Sequence, residues 1–199
     1  MTQTTSSIHP FVLWSKIRLD EMDAAIREAE KEVSKAEENI KAGVAANLAQ
    51  AKQSRDAFKA RIQSNVQYGK AKAEASIQSA KRELQQRWQE FEKAMNVAGA
   101  RLNNSRKEFE ARAAAQLKSC QDMVHEYNEL AVEMAVEQKE STHAAIIRMQ
   151  EGVENAKQVL ADVRQASSES AEAYRGALQK SREAIEEAYD SSKTAFAKV

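Results

Sequence analysis

The feature that most constrains this chain is its proline content: there is one, Pro10, and none follows from Phe11 to Val199. Proline interrupts helices because it lacks an N–H and its ring clashes with the carbonyl four residues back. A stretch this long without one, dominated after residue 20 by Ala, Glu, Lys, Arg and Gln, favours helix at almost every position. Pro10 itself suits a first helical position, where the missing donor is not needed and φ is preset. Met1 to His9, rich in Thr and Ser, reads as a disordered tail, with helix expected from residue 10 onward.

Apolar residues recur at helical spacing along the whole of that stretch. Met22, Ile26, Ala29, Val33, Ala36 and Ile40 alternate steps of four and three, a heptad seam; Ile40, Val44 and Leu48 then take two steps of four, a stutter that locally unwinds a supercoil. Ile77, Ala80, Leu84, Trp88, Phe91, Met95, Ala98 and Leu102 form a second seam, and Phe109, Ala113, Leu117, Cys120, Val124, Tyr127, Ala131 and Met134 a third. A fourth runs from Ile146 to Val163, and a sparser fifth from Ala171 to Phe196. Two-residue alternation is absent, so the expected fold class is all-α with no strands.

A single helix from Pro10 to Val199 would be about 285 Å long, so the chain must turn back. The best place is Gly99 to Ser105. Gly99 is expected to take a left-handed C-terminal conformation, Asn103 and Asn104 favour a turn, and Ser105 with Glu108 matches a capping box. A turn there divides the chain into two arms of about 135 Å, a long antiparallel coiled-coil hairpin forming one elongated domain over residues 10–199. Ser34 and Glu37 also match a capping box, but inside a seam that continues. Gly43, Tyr68-Gly69, Glu140 to His143, Gly152 and Ser167-Ser168 are weaker breaks. If Gly43 and Gly152 both end helices, the result is an elongated four-helix bundle, in which acidic Asp20 to Glu38 faces Lys52, Arg55, Lys59 and Arg61.

Apolar residues make up 42% of the chain, much of it alanine, and aromatics only 6%. Alanine suits thin seams between close helices better than a thick core. Lys plus Arg and Asp plus Glu both total 30, so no net field draws the chain to nucleic acid or membrane. The distribution is uneven: Lys41 to Arg112 holds 15 basic and 7 acidic residues, Asp122 to Asp190 holds 7 and 15. Complementary pairing across an antiparallel interface accounts for that split, and nucleic-acid binding is not expected because the basic residues surround the helix rather than gather on one face. Cys120 is the single cysteine, so a cytoplasmic setting is expected. A leader is not expected, because the apolar run Phe11 to Trp14 is too short for one, and no apolar run approaches the length that spans a bilayer.

Motifs for chemistry are incomplete. His125-Glu126 begins like a zinc HExxH, but position 129 is Glu129. Glu140 and His143 make one Glu-x-x-His, where a di-iron bundle needs two. Cys120 falls on a seam and reads as a small apolar side chain. No catalytic residue, metal site or cofactor is therefore assigned, and the chain is not expected to be an enzyme. Phe11, Val12, Leu13, Trp14 and Ile17 form an apolar cluster around most of a helix. It reads either as a plug that closes a bundle against Tyr189 and Phe196, or as a docking tip for a partner. Trp88 and Phe91 read as core.

The expected function is a structural or scaffolding coiled coil that acts by self-association or by binding another coiled-coil protein. The alternative is a coat for lipid or polymer granules. In its alanine-rich amphipathic seams, such as Ile77 to Leu102, and in its composition over residues 10–199, the chain resembles the phasins and, more distantly, the exchangeable apolipoproteins. That resemblance implies a helical protein that lays its apolar faces on a hydrophobic phase.

Overall fold

Helix is the only regular structure among the described residues of this computed structural model, which are 10–67, 74–133, 136–165 and 170–196. Six segments form: α1 (Pro10–Val33), α2 (Glu38–Gln67), α3 (Glu74–Leu102), α4 (Ser105–Glu133), α5 (Val136–Gln165) and α6 (Ala171–Phe196). These described segments are 24 to 30 residues long. They cluster into two compact units. A contiguous unit comprises Arg18–Arg112, and a split unit comprises Met1–Ile17 with Ala113–Val199. The expected tail at Met1 to His9, and the breaks at Tyr68-Gly69 and Ser167-Ser168, lie outside the described residues.

The ends of the helices show which local signals count. α1 stops at Val33 without glycine or proline: Ser34 Oγ donates to the Lys31 carbonyl at 2.7 Å, and the Lys35 and Ala36 amides tighten into three-residue bonds to Glu32 and Val33. Glu37 then stands before α2, its carbonyl accepting from the Ile40 and Lys41 amides. Ser34 thus closes α1 rather than capping α2, and a boundary falls within a seam expected to continue. Val33, Ala36 and Ile40 are only half-buried there, so little packing opposes the turn. Between α3 and α4, Asn103, not Gly99, takes the left-handed conformation, with φ 50°. The Asn104 amide reaches back to the Gly99 carbonyl at 3.3 Å, the six-to-one bond of a Schellman ending. α6 begins at a conventional cap, the Ala173 amide donating to Ser170 Oγ at 3.1 Å.

In the contiguous unit, cross-helix contacts fix direction. Asp23 meets Arg55 and Glu30 meets Lys52 at 2.7 Å, so α1 and α2 are antiparallel. Arg61 meets Glu83 at 2.6 Å and Arg101 donates to the Gly43 carbonyl at 2.6 Å, so α2 and α3 are antiparallel as well. Glu32 meets Lys107 at 3.1 Å and Glu21 meets Arg112 at 3.2 Å, which sets α4 antiparallel to α1. Charge pairing therefore follows the four-helix alternative: the acidic stretch faces Lys52 and Arg55, while Arg61 goes to α3 and Lys59 is exposed. The seams supply the core, with Met22, Val44, Ala51, Phe58, Leu84 and Phe91 fully buried.

The split unit is built on α5 packed against α6, with α4 tied to α6. Gln116 of α4 donates to the Leu178 carbonyl, and Tyr127 of α4 meets Tyr189 of α6. Equal spacing between these two pairs makes α4 and α6 parallel. The core draws on Cys120, Met123, Tyr127, Ile146, Met149, Ile185 and Tyr189, together with Leu13 and Ile17 of α1.

Neither Gly43 nor Gly152 breaks a helix; each marks a close approach. A Cβ on Gly152 would lie 2.4 Å from the Ala188 Cβ, and one on Gly43 would lie 2.5 Å from Arg101 Nη1. Around Gly176 there is nothing within 4 Å. Gly152→Ala is expected to lose about 1–3 kcal/mol of stability, because packed helix α6 must shift. Gly176→Ala is expected to gain about 0.5–1 kcal/mol from helix propensity alone. Gly43→Ala should fall between them, since the clashing guanidinium can swing away at the loss of one hydrogen bond. Denaturant midpoints of the three variants measure this order.

Candidate functional site

Functional groups that burial perturbs gather at two places, one in each unit. The first is built on Arg112, whose guanidinium is 2% exposed although it carries a full charge. Three helices bring it carboxylates. From α1, Glu21 Oε2 accepts from both Nε and Nη2 at 3.2 Å. From α3, Glu92 takes a two-pronged bond from Nη1 and Nη2. From one turn earlier on α4, Glu108 Oε1 accepts from Nη1 at 3.2 Å. The Trp88 ring of α3 lies beside the group, its centroid 5.5 Å from the Arg112 Cζ and 5.7 Å from that of Arg18. Burial by itself pushes the guanidinium down. The charges of Glu92, Glu21 and Glu108 outweigh it and hold Arg112 above its usual range, so the group stays ionised.

This arrangement is expensive to assemble and hard to leave half-made. A lone buried charge costs several kcal/mol, and the Arg112 fork can be satisfied only by oxygens placed in its plane. Glu108 reaches it because Gly99 leaves room: a Cβ on Gly99 would sit 2.9 Å from Glu108 Oε2. The residue expected to cap α4 instead serves this ion cluster, and Gly99, expected at the turn, is the small residue the cluster leans over.

The second place is the Tyr127–Tyr189 pair in the split unit. The two hydroxyls are 2.6 Å apart, the rings 6.0 Å apart and tilted by 40°. Both side chains are buried among aliphatic and methionine neighbours. Burial first, then the Tyr189 hydroxyl and Glu126, push the Tyr127 phenol well above the ordinary tyrosine range, so it remains neutral.

The residues singled out in the sequence are scattered. His125 and His143 are both exposed; His125 Nε2 lies 3.3 Å from Glu129 Oε1 one turn on, and α5 runs unbroken through Glu140 to His143. His9 lies outside the described residues. Among the described residues no group of three or more His, Cys, Asp or Glu is placed to hold a metal ion. Cys120 is buried in the split-unit core, and Trp88 and Phe91 are core residues of the contiguous unit with rings 5.8 Å apart. Of the apolar cluster near the start, Leu13, Trp14 and Ile17 are buried, Val12 is half-buried, and the Phe11 side chain lies outside the described ones. Leu13 and Ile17 share a core with Tyr189, whereas the Phe196 side chain is likewise outside the described ones.

Two open grooves run along the surface. One, of about 290 Å³, lies between α2 and α3 over Ala57, Ala60, Arg61, Ser64, Glu83 and Arg87. The other, of about 260 Å³, lies between α4 and α5 and includes Val124, His125, Asn128, Val153, Glu154 and Lys157. Their charged groups are engaged with neighbours, Arg61 with Glu83 and Lys157 with Glu154. No described helix is long and apolar enough to cross a membrane. No family model matches the chain, and no curated protein or solved structure matches it either.

Arg112→Met is expected to cost about 3–5 kcal/mol, because it leaves three carboxylates facing one another in a buried site. Adding Glu21→Leu should recover part of that loss, and a double-mutant cycle by chemical denaturation reads the coupling. For Tyr127 the sign is alkaline. The unfolded chain ionises near the ordinary tyrosine value of about 10 while the folded chain does not, so stability is complete below that pH and lost as pH rises through it. Tyr127→Phe should therefore lose less stability than the parent between pH 8 and 11, measured by denaturant titration at each pH.

Proposed function

We propose that this chain is a non-enzymatic structural or scaffolding protein that acts by associating with copies of itself or with another helical protein, through antiparallel coiled-coil pairing of its long helices. One observation carries the reading. The buried groups best suited to chemistry are committed to holding helices to each other: Arg112 binds carboxylates on α1, α3 and α4, and Tyr127 binds Tyr189 on α6. Outside those cores lie charged helical faces carrying many pairs one turn apart, such as Lys118–Asp122 and Arg106–Glu110. Such faces suit contact with another helix better than capture of a small molecule. The free, buried Cys120 is consistent with a reducing, cytoplasmic setting.

Melting the protein over a wide range of concentrations tests this. An associating chain should show a Tm that rises with concentration, because partner binding stabilises only the folded state. It should also stay in solution when mixed with liposomes or apolar beads at low salt. A constant Tm together with a monomer mass, and no protein partner retained in a pull-down, would count against the proposal. Sedimentation with the beads would favour the granule-coat reading instead.

A further inference from the structure

The outward face of α2 is left bare by the fold. Val44, Leu48, Ala51 and Phe58 turn one side of this helix into the core of the contiguous unit. Opposite them Ala42, Ala45, Ala46 and Ala49 stand exposed, and Ala42 to Ala51 includes no charged residue in a chain that is 30% charged. The exposed sides of other helices differ, carrying ion pairs such as Lys118–Asp122 on α4 and Lys157–Glu154 on α5. A face of methyl groups lets a second helix approach to about 8 Å, and its alanines lose no side-chain entropy on burial.

Charge frames this face at both ends. At its start Lys41 reaches Glu38 at 2.8 Å; beyond it come Asp56, met at 2.7 Å by neighbouring Arg55, and exposed Lys59. Both bonds are local to α2, and they leave the Glu38 and Asp56 side chains 88% and 68% exposed, open to a further cation. Positions 38, 41, 56 and 59 lie within about 60° of one another round the helix, so the four charges run along one edge of the alanine face. Their order along that edge is acidic, basic, acidic, basic.

That order is complementary to itself. Turning a second copy end for end about the point between Leu48 and Ala49 sets Glu38 against Lys59 of that copy, and Lys41 against its Asp56. A two-fold axis brings like edge to like edge, so each pair forms twice. A slide of three residues either way sets Lys41 against Lys59 or Glu38 against Asp56, and a parallel pairing in register sets every charge against its own kind. Net charge does not drive the contact, since the contiguous unit holds 19 basic and 15 acidic residues and two such units repel weakly at a distance. The local order of charges fixes partner and register.

We propose that the outward face of α2 is the chain's self-association surface, and that its occupant is the same face of a second copy, packed antiparallel with Ala49 near the two-fold axis. This rests on the self-association reading above and names the surface that serves it.

The test weighs the full-length protein by sedimentation equilibrium over a wide range of concentrations, with circular dichroism to check that each variant keeps its helix. The wild type should pass from monomer to dimer as concentration rises. Ala49→Arg changes an exposed site where arginine suits a helix nearly as well as alanine, but sets two like charges against each other at the axis; it should weaken the dimer at least about tenfold. Glu38→Lys and Lys59→Glu should each weaken it too, because each alone sets like charges face to face. An equimolar mixture of those two variants should restore it, since one supplies the lysines and the other the glutamates at both pairs. Should one variant fail to fold, the remaining arm decides. A dimer that Ala49→Arg leaves intact, or charge variants whose mixture associates no more tightly than either alone, overturns the proposal and leaves self-association through another surface. A wild type that stays monomeric at every concentration overturns both this proposal and the reading on which it rests.

Discussion

One buried charge organises the contiguous unit. Arg112 cannot lose its proton at any ordinary pH, so taking it out of water obliges the chain to surround it with acceptors. The acceptors come from positions 21, 92 and 108, on three helices. Sliding α1 or α3 by one residue against α4 turns its carboxylate about 100° away and leaves part of the fork unsatisfied. Alanine-rich seams slide with little loss, because one small apolar residue substitutes for the next. The ion cluster supplies the register that such seams leave undefined, which is the best-attested role for a polar group placed inside a helical interface. Trp88, flanked by the Arg112 and Arg18 guanidiniums, adds a flat surface that favours the same geometry.

The split unit settles the same problem with neutral groups. Tyr127 and Tyr189 each bury a large ring, and each hydroxyl finds the other at 2.6 Å. A phenol pair is far less demanding than an ion cluster, since no full charge is desolvated and a small displacement weakens the bond without stranding an ion. Close approach does the rest. Gly152 lets α5 rest on Ala188, and Gly43 lets the Arg101 guanidinium reach the backbone of α2. A glycine inside a helix costs only about 1 kcal/mol against alanine, a penalty smaller than the contact it permits.

Local periodicity carried most of what could be read from the sequence. Every seam position named from Met22 to Ile185 that is described falls in a buried or half-buried site, because the 3.6-residue repeat is a property of neighbouring residues alone. The helix ends were less legible. The turn after Val33 lacks glycine and proline and is held by a serine hydroxyl and two short-range amide bonds, a signal that elsewhere occurs inside continuous helices. Two glycines that looked like breaks are packing contacts whose partners lie 58 and 36 residues away, at Arg101 and Ala188. Asn103, expected in the turn, takes the left-handed conformation that was expected of Gly99, while Gly99 lies within the helix where a Cβ would crowd Glu108. Arg112 was not legible at all. Glu108 is its helical neighbour, but Glu21 is 91 residues away, and nothing local distinguishes a basic residue destined for burial from the many on the surface.

The charge asymmetry gains a different meaning once helices are paired. The basic surplus between Lys41 and Arg112 is partly met inside its own unit, where Glu30, Asp23 and Glu32 of α1 take Lys52, Arg55 and Lys107. What remains is smaller: Arg18–Arg112 holds 19 basic and 15 acidic residues, and the rest of the chain holds 11 and 15. The contiguous unit is therefore left with +4 and the split unit with −4. Residual charges of that size on exposed side chains add little stability, because each pair contributes less than about 1 kcal/mol and is screened within about 8 Å at physiological salt. Their effect is on encounter. Were two copies to meet, opposite signs on the two units would favour approaches in which the basic unit of one faces the acidic unit of the other.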